Sequence, residues 1–463
     1  MGTLTSLMNL SREALMADQA ALDVTASNVA NQNTLGYTRQ VVSWQSTDAV
    51  TLNGVTYGTG VKTTAVSQRD RILEQRVQQQ TQAQAQSGAL QSALQQAENI
   101  FGLSSTGTSV GSTALGTATD AFFNSLSALQ GNPSDASTRQ NVLTAASNLV
   151  SVFNSAANQL EQVSSGLDQQ VGIIAGQVNT LTATIASLNQ QIASTGARAD
   201  AGALEDQRQL AITQLSQYVG LNQMTTEGNG ITLTTSNGAV LVSGSKSFAM
   251  STTQVAGITH LLAGVGPQDV TSGLSGGQLG GILEARDQQL PRYASALNTF
   301  AYGLGNAINT QNALGIDGNG NPGTAIFGYP FGTIGTAVVT TDPQAIAAAS
   351  VGEGSSGNGN AIALADLSTA TVVGGQTASG FLASLFGQIG NDAAGATTEN
   401  AAKQATLTQL TSQRNALSGV SLDEEASNLT QYQRSYEAAA KVFSIVNSIM
   451  ASAINLGVQT SVS

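Results

Sequence analysis

Apolar residues recur every seven positions at both ends of the chain, and this pattern constrains the fold more than any other feature. At the N-terminal end the repeat consists of Met8, Leu15, Leu22 and Val29. A spacing of seven keeps side chains on one face of an α-helix, close to two turns apart. Roughly the first 30 residues are therefore predicted to form one helix with a single apolar stripe.

The C-terminal end carries the same pattern over a longer stretch. Its main line is Leu422, Leu429, Tyr436, Phe443 and Met450, and the intermediate heptad positions hold Tyr432, Ala439, Val446 and Ala453. Glu425 alone breaks the pattern. Ser421 and Glu424 fit a capping box, which favours a helix start at this point.

The two stripes are narrow and interrupted by polar residues, and neither terminal helix shows a second apolar face in the sequence. Each helix alone should be marginally stable, so we expect both to become fully ordered only on assembly. We interpret the stripes as surfaces for mutual pairing as a coiled coil and for packing between subunits. The alternative interpretation is an ordinary intramolecular core.

The stretch "ANQNTLGYTRQ" follows the N-terminal heptads directly. Its residues Asn31, Asn33, Thr34 and Gly36 leave helical geometry easily, which predicts a helix stop and a turn. "TRQVVSWQS" then alternates as a β-strand does. The signature turn is completed by Tyr37 and Arg39.

The interior is predicted to be mainly α-helical. Apolar residues from Leu160 to Ile192 step by three and four, which is typical of a long bundle or coiled-coil helix, and here we favour an intramolecular core. Between Leu221 and about Val270 the pattern alternates and contains the turn signal Asn237-Gly238, which predicts a small β unit. The fold class is therefore mainly α, a long helical body with a small β insertion and paired terminal helices.

Composition excludes several classes of function. Of 463 residues, 16 are basic and 28 acidic, and the net charge of -12 argues against nucleic acid as a partner. The chain has no Cys and one His, so metal sites, cofactors and thiol or histidine catalysis are not expected, and we predict no enzyme activity. Charged residues make up only 10%, so the surface is largely neutral and suits packing against other copies. No apolar run is predicted to reach membrane-spanning length, and no cleaved leader is expected.

Three local sequence patterns resemble ligand-binding or catalytic sites, but each is weak evidence for one. "GEGSSG", residues 352–357, fits a dinucleotide-binding loop but lacks the βαβ context, so a plain loop is preferred. "DGNGNP" begins at Asp317 as a calcium loop does, yet Pro322 replaces the required Gly. His260 has no Cys or His neighbour in sequence and is interpreted as an ordinary strand residue.

The stretches "ANQNTLGYTRQ" and "SGVSLDEEASNLTQYQRSYEAAAKVFSIVNSIM" resemble the terminal signatures of flagellar rod and hook axial proteins. Interior stretches occur in the order expected of the hook-associated protein 1 family, which forms the hook-filament junction: "GALEDQRQLAITQLSQYVG", "GGQLGGILEARDQQLP", "NAINTQNALGIDGNGNPGTAIF" and "DPQAIAAAS". Leu35 stands where that family usually has Pro.

The resemblance implies a structural, self-assembling protein of the bacterial flagellum that joins hook to filament and serves motility. Its implied partners are further copies of itself in a head-to-tail ring or helical layer, the hook protein, the second hook-filament junction protein and an export chaperone. Nucleic acid and membrane insertion are not among them. The implied location is extracellular, after export through the flagellar secretion apparatus without a cleaved signal.

The resemblance also implies a domain organisation. We expect an inner terminal coiled-coil domain from 1–35 and 421–463, a helical body from 36–220 and 273–420, and a β insertion from 221–272. Larger members insert an outer β domain that is expected to be absent here, because only residues 328–341 intervene. The alternatives are another flagellar axial protein, a secreted coiled-coil protein of a cell surface, and a nucleotide-dependent enzyme using "GEGSSG".

Overall fold

The computed structural model describes residues 2–52, 55–58, 60–103, 113–195, 201–225, 230–329 and 336–459. Met1 and residues 460–463 of the predicted terminal domain, and residues 330–335 of the predicted short connection, lie outside the described residues.

Long helices make up most of the described chain. They are α1 Gly2–Ala30, α2 Arg71–Ile100, α3 Ala114–Gly131, α4 Ala136–Thr195, α5 Gly202–Tyr218, α6 Gly277–Glu284, α7 Leu290–Leu314, α8 Gly359–Asp366, α9 Ala378–Ser418 and α10 Leu422–Gln459. A π-helical turn, Ala285–Gln289, joins α6 to α7 without a break. The mainly α-helical class predicted from the sequence is confirmed.

The strands fall into short antiparallel sheets. They are β1 Gln40–Ser46, β2 Val50–Leu52, β3 Val55–Tyr57, β4 Val61–Ser67, β5 Leu221–Thr225, β6 Ile231–Thr235, β7 Val240–Ser243, β8 Lys246–Ser247, β9 Ser251–Val255, β10 Ile258–Ala263, β11 Gln268–Asp269, β12 Phe327–Gly328 and β13 Ala337–Val338. β1 pairs with β4 and β2 with β3, so 40–67 is a long hairpin. β5 to β8 form one sheet in chain order, and β9 to β11 form another.

The core of the body is organised around α4, a helix of 60 residues. Leu160, Leu167, Val171, Ile174, Val178, Ile185, Leu188 and Ile192 are all buried, as the three-four stepping predicts. Aromatic residues from several other parts of the chain complete the core, and Phe122 of α3 meets Phe327 edge to face at 5.6 Å. The prediction that this stripe belongs to an intramolecular core is confirmed.

Paired hydrogen bonds fasten the β unit to α4. Asn179 donates to the carbonyl of Met250 at 2.8 Å and accepts from its amide at 2.7 Å. Asp168 accepts from the amide and the hydroxyl of Thr259 at 2.8 and 2.7 Å. Arg286, buried in the π-helical turn, binds the same Asp168 at 2.8 Å, so three elements meet at one ion pair. The β unit is thereby held at a defined place on the body.

α2 and α9 run beside each other between the body and the chain ends, with amide side chains at their contact. Gln80 donates to the carbonyl of Lys403 at 2.8 Å. Gln84 and Gln91 both bond to Asn400, at 3.2 and 2.6 Å. Hydrogen bonds therefore supplement apolar packing along this pair.

α1 and α10 pack against each other outside the body core. The C-terminal end of α1 meets the N-terminal end of α10, because Asn28 contacts Glu425. Val446, well along α10 from that contact, is also buried. The two helices therefore run side by side and antiparallel within one chain, in agreement with their predicted pairing. That they become fully ordered only on assembly stays a prediction.

Two helical stretches are long and apolar enough to cross a membrane by length and composition, contrary to the sequence-based prediction. One, 136–194, covers α4, whose apolar residues form the body core; 44% of its most apolar window is buried. The other, 378–455, covers α9 and most of α10, and only 6% of its window is buried. Helix 136–194 owes its hydropathy to the core, but the exposure in 378–455 requires a separate explanation.

Candidate functional site

The predicted signature turn is the place where α1 ends and the chain reverses. The backbone amide and the side-chain Nδ2 of Asn31 both donate to the carbonyl of Ser27, each at 3.0 Å, which closes the last turn of the helix. The amide of Thr34 then bonds to the carbonyl of Asn31 at 2.9 Å, and that of Tyr37 to Thr34 at 3.2 Å. These bonds form a compact turn that directs the chain into β1.

Gly36 occupies a conformation that the turn requires. Its φ of +84° lies in the left-handed region, which a side chain disfavours. A Cβ at this position would also lie 3.3 Å from Cβ of Leu210 on α5. Asn33, Thr34 and Leu35 point to the exposed side of the turn. The glycine therefore allows the turn to sit against the body.

Asn28, one turn before the end of α1, is the centre of a buried polar cluster and is 1% exposed. Its Oδ1 accepts from the Tyr37 hydroxyl at 2.9 Å and from the amide of Gln40 at 3.0 Å. Its Nδ2 donates to the carbonyl of Gln40 at 2.8 Å and to Oε2 of Glu425 at 3.2 Å. One side chain thus joins α1, the turn, β1 and α10.

Glu425 and Arg39 complete this cluster, which we call the elbow cluster: Asn28, Tyr37, Arg39 and Glu425. Glu425 is 1% exposed, and its Oε1 lies 2.7 Å from Nε of Arg39. Arg39 also binds the exposed carboxylate of Glu424 at 2.5 Å, and its amide donates to the carbonyl of Ser418 at 2.9 Å. The buried carboxylate is therefore paired and hydrogen-bonded, as a buried charge must be.

Sequence reasoning named Tyr37 and Arg39 but missed Asn28 and Glu425 as members of the site. A signal was present for both. Glu425 is the single break in the C-terminal heptads, and Asn28 follows Ala14 and Ala21 at intervals of seven. Asn28 on α1 and Glu425 on α10 are polar residues at heptad positions that otherwise hold small or apolar residues. Such a pair of exceptions, one on each helix, indicates a specific polar contact.

A second charged cluster anchors the base of the hairpin to the body. Asp206 of α5 accepts from the amide of Thr38 at 3.0 Å and binds Arg69, which follows β4. Burial raises the pKa of Asp206, while the bonds from Thr38 and the charge of Arg69 oppose that rise. Burial likewise raises the pKa of Glu74, opposed by Arg69, whose Nε lies 3.2 Å from its carboxylate. Contacts with α5, through Asp206, and with α2, through Glu74, thus hold the chain next to the elbow cluster against the body.

The buried face of α1 consists of small and polar residues. Its members are Ser11, Ala17, Asp18, Ala21, Thr25 and Asn28. The predicted interface residues of α1 flank this face: Met8, Leu15 and Leu22 are half-buried and Val29 is exposed. Small residues permit close approach of a neighbouring helix, which leaves the larger residues at the edge of the contact.

The predicted interface residues of α10 divide into two groups. Val446 is 2% exposed, and Leu429, Phe443 and Met450 are half-buried. Leu422 and Tyr436 are exposed. Tyr432 lies on the same heptad line as Val446, and its ring is 6.2 Å from that of Trp44 on β1. The hairpin therefore also packs against α10.

α10 carries a second apolar stripe that the sequence analysis did not identify. Val442, Ile445 and Ile449 are 45%, 58% and 46% exposed, and their spacing of three and four places them on one helical face. Val446 is buried beside these residues, so the stripe borders the face that packs on α1, and its own side chains stay about half exposed. It was missed because the sequence analysis followed the heptad line of Phe443 and Met450, whereas Val442 and Ile449, also seven apart, each lie one position earlier.

The patterns that suggested other chemistry have structural explanations. In "GEGSSG" the Glu353 carboxylate accepts from the amides of Ser350 and Gly359, both at 2.9 Å, so it occupies the N-terminus of α8 where a phosphate would bind. These bonds lower the pKa of Glu353. His260 lies in β10 with Nδ1 2.6 Å from Asp269. Within the described ranges no group of three or more His, Cys, Asp or Glu residues could hold a metal ion.

Comparison with protein families gives three matches along the chain. Residues 94–327 match the family described as flagellar hook-associated protein FlgK helical domain. Residues 412–456 match flagellar basal body rod FlgEFG protein C-terminal, and residues 8–38 match flagella basal body rod protein. The two rod-family matches coincide with α10 and with α1 and its turn.

Individual relatives cover nearly the whole chain. Flagellar hook-associated protein 1 of Escherichia coli is 28% identical over 556 aligned positions, covering 98% of this chain and all of the relative. The protein of the same name in Bacillus subtilis is 28% identical over 500 positions, covering 97% of each. A solved structure, the flagellar hook junction protein FlgK from Burkholderia pseudomallei, matches with a TM-score of 0.68 at 18% identity, covering 74% of this chain and all of that one. At this identity the structure supports the fold.

Proposed function

The chain belongs to the flagellar hook-associated protein FlgK family, and from this membership we propose that it assembles at the distal end of the hook and joins hook to filament. It is a structural protein of the bacterial flagellum, and its family is not known for enzyme activity. The match over 94–327 favours the junction role over other axial proteins, since the terminal matches alone are shared with rod proteins. The alternative of an unrelated secreted surface protein has no observation in its favour.

The observation that carries the proposal is the exposed stripe of α10. Val442, Ile445 and Ile449 stand in solvent on a helix that already has a partner, α1, on another face. Full burial of such a side chain contributes on the order of 1.5 to 3 kcal/mol, and these residues are about half exposed, so a neighbouring subunit that covers the stripe gains about half of that amount for each. We assign this stripe, together with the exposed parts of the predicted interface, to contacts between subunits.

Each end of a junction layer meets a different partner, so the contacts between subunits must be head-to-tail. We propose that one end of the layer meets the hook protein and the other the second hook-filament junction protein. Export through the flagellar secretion apparatus without a cleaved signal, guided by a chaperone, would deliver the chain to an extracellular position on the flagellum. Charged residues make up only 10% of the chain, and a sparsely charged surface suits dense packing in such a layer.

We further propose that the chain lacks the outer β domain of larger members. The alignment with the Escherichia coli relative spans 556 positions against 463 residues here, so that relative has segments without a counterpart in this chain. Limited proteolysis should yield one resistant core that contains α4 and α7. Recovery of a separate stable fragment centred on residues 328–341 would contradict the proposal.

The test of the junction role adds purified protein to isolated hooks that lack the native protein, followed by the second junction protein and flagellin. The variant Ile445→Asp with Ile449→Asp places two charges on the exposed stripe. We expect filament attachment to fall about tenfold or more, because the two lost side-chain contacts together reach the ~1.4 kcal/mol that corresponds to a factor of ten. Purified protein avoids any effect of the variant on export.

The matched control is Ser444→Asp with Ala451→Asp, which adds the same charge at exposed positions off the stripe. This control should support normal attachment. Normal filament growth with the stripe variant would refute the assignment of the stripe, and failure of the wild-type chain to support filaments would refute the junction role. Flotation of the wild-type chain with lipid vesicles would instead assign the stripe to a membrane.

A further inference from the structure

The heptad positions of the two terminal helices repeat, so packing alone does not fix how α1 and α10 align. On α10 the residues at intervals of seven from Glu425 are Tyr432, Ala439, Val446 and Ala453, and on α1 those before Asn28 are Ala21 and Ala14. Beyond Glu425 and Asn28 these positions hold no charged residue, so a slip of one heptad again places uncharged residues opposite each other. The slip moves one helix by about 10 Å along the other.

The hydroxyl groups in the contact do not distinguish one alignment from another. Ser11 donates to the carbonyl of Leu7 at 2.9 Å, and Thr25 to the carbonyl of Ala21 at 2.9 Å. Both partners belong to α1 itself. These bonds therefore persist in any alignment of the two helices.

The pair formed by Asn28 and Glu425 does distinguish the alignments. A slip of one heptad would carry Glu425 away from Asn28 and Arg39 and would leave a carboxylate buried without a partner, which is strongly unfavourable. A polar residue at one heptad position fixes the register of coiled coils in this way. The turn at 31–39 is long enough in extended form to span a shift of about 10 Å, so the chain connection does not forbid the slip.

We infer that Glu425, acting through Asn28 and Arg39, is the positioning residue that sets the register of α1 against α10. This inference rests on the pairing of the two helices within one chain and does not depend on the proposed junction role. It predicts that an apolar residue at position 425 leaves the helices paired but allows more than one alignment.

Distances between two spin labels on the monomer test this inference. The chain has no Cys, so Asp23→Cys and Ser444→Cys, both at exposed positions, introduce the only thiols. Because the two sites are offset by about 20 Å along the helices, a slip of one heptad changes the label separation by more than about 5 Å. We expect one narrow distance peak in the wild-type background and two peaks in Glu425→Leu.

The variant should fold, because in the native alignment Arg39 keeps Glu424, and Asn28 keeps Gln40 and Tyr37. Glu425→Met, with a more flexible side chain, is the second variant if Leu overpacks the site. Glu424→Leu is the matched control, since it makes the same change at the exposed neighbour, and Glu425→Gln should restore the single peak. The melting temperature reports general damage to the fold, which a change of register need not cause.

A single unchanged peak in Glu425→Leu and Glu425→Met would overturn the inference. Two peaks in Glu424→Leu would also overturn it, because the effect would then not belong to position 425. Asp18, on the buried face of α1, is a second buried carboxylate of the terminal helices. Two peaks in Asp18→Ala together with one peak in the position-425 variants would transfer the role to Asp18. A broad distribution in the wild type would show that the helices are not paired.

Discussion

Asn28 and Glu425 are 397 positions apart in the sequence, yet Nδ2 of Asn28 donates to Oε2 of Glu425 at 3.2 Å inside a buried cluster. The contact joins the last turn of α1 to the first turn of α10. Because Asn28 also pairs with the backbone of Gln40, the same residue fixes the hairpin relative to both helices. The two ends of the chain are therefore part of one structural unit at the edge of the body.

Replacement of Asn28 by Ala should loosen both terminal helices. It leaves Oε2 of Glu425 and the backbone of Gln40 without this partner, at about 1 to 3 kcal/mol for each buried group left unsatisfied. Hydrogen exchange should show that α1 and α10 lose protection, most of all near the elbow cluster, whereas α4 keeps its protection. Asn33→Ala, an exposed change in the same turn, is the control. Equal protection in both variants would contradict the role assigned to Asn28.

Replacement of Gly36 by Ala should destabilise the protein, whereas the same change at Gly172 should not. Gly36 has φ of +84° and faces Leu210, and the left-handed conformation costs a side chain about 1 to 2 kcal/mol. Gly172 lies inside α4 with no atom near the added Cβ, so Ala there should stabilise by about 0.5 to 1 kcal/mol. Urea unfolding measures both effects. Equal shifts for the two variants would show that Gly36 is not constrained by the turn.

Acid should weaken the β unit through Asp269. Hydrogen bonds from Thr271, then that from His260, lower the pKa of Asp269 to about 2 from its ordinary value of 3.8. A carboxylate with a lowered folded-state pKa stabilises the fold above the ordinary value and loses that contribution as pH falls through the folded value. The fall in melting temperature between pH 5 and pH 2.5 should therefore be smaller in Asp269→Asn than in wild type. Thr271→Val should act in the same direction, and identical slopes in all three proteins would contradict this assignment.

Adjacent residues of α10 should respond differently to Asp in the isolated monomer. Val446 is buried in the intramolecular contact, so Val446→Asp loses on the order of 1.5 to 3 kcal/mol of apolar burial and adds a buried charge. Ile445 is largely exposed, and Ile445→Asp should leave the monomer unchanged. Circular dichroism on heating measures the loss of helix. An early loss in Ile445→Asp would show that the exposed stripe is already covered in the monomer.

The positions of the main helices and strands follow from local sequence patterns. The three-four stepping from Leu160 to Ile192 predicted α4 and its burial, and the alternation after Leu221 predicted the strands of the β unit. The Asn, Thr and Gly residues after Val29 predicted the end of α1. These predictions succeed because helix and strand periods, and the conformations open to turn residues, are properties of neighbouring positions.

Which faces of the helices pack against each other became clear only from the three-dimensional structure. Seven-residue spacing gave the line Met8, Leu15, Leu22 and Val29, but the buried face of α1 is the adjacent line of small and polar residues. On α10 the heptad line likewise left the adjacent exposed stripe of Val442, Ile445 and Ile449 unidentified. Spacing fixes which residues share a face, whereas the partner of that face depends on contacts between distant segments. Asn28 and Glu425 likewise come from opposite ends of the chain: the local sequence marks each as a polar break in its heptads, but only the tertiary structure shows that they are each other's partners.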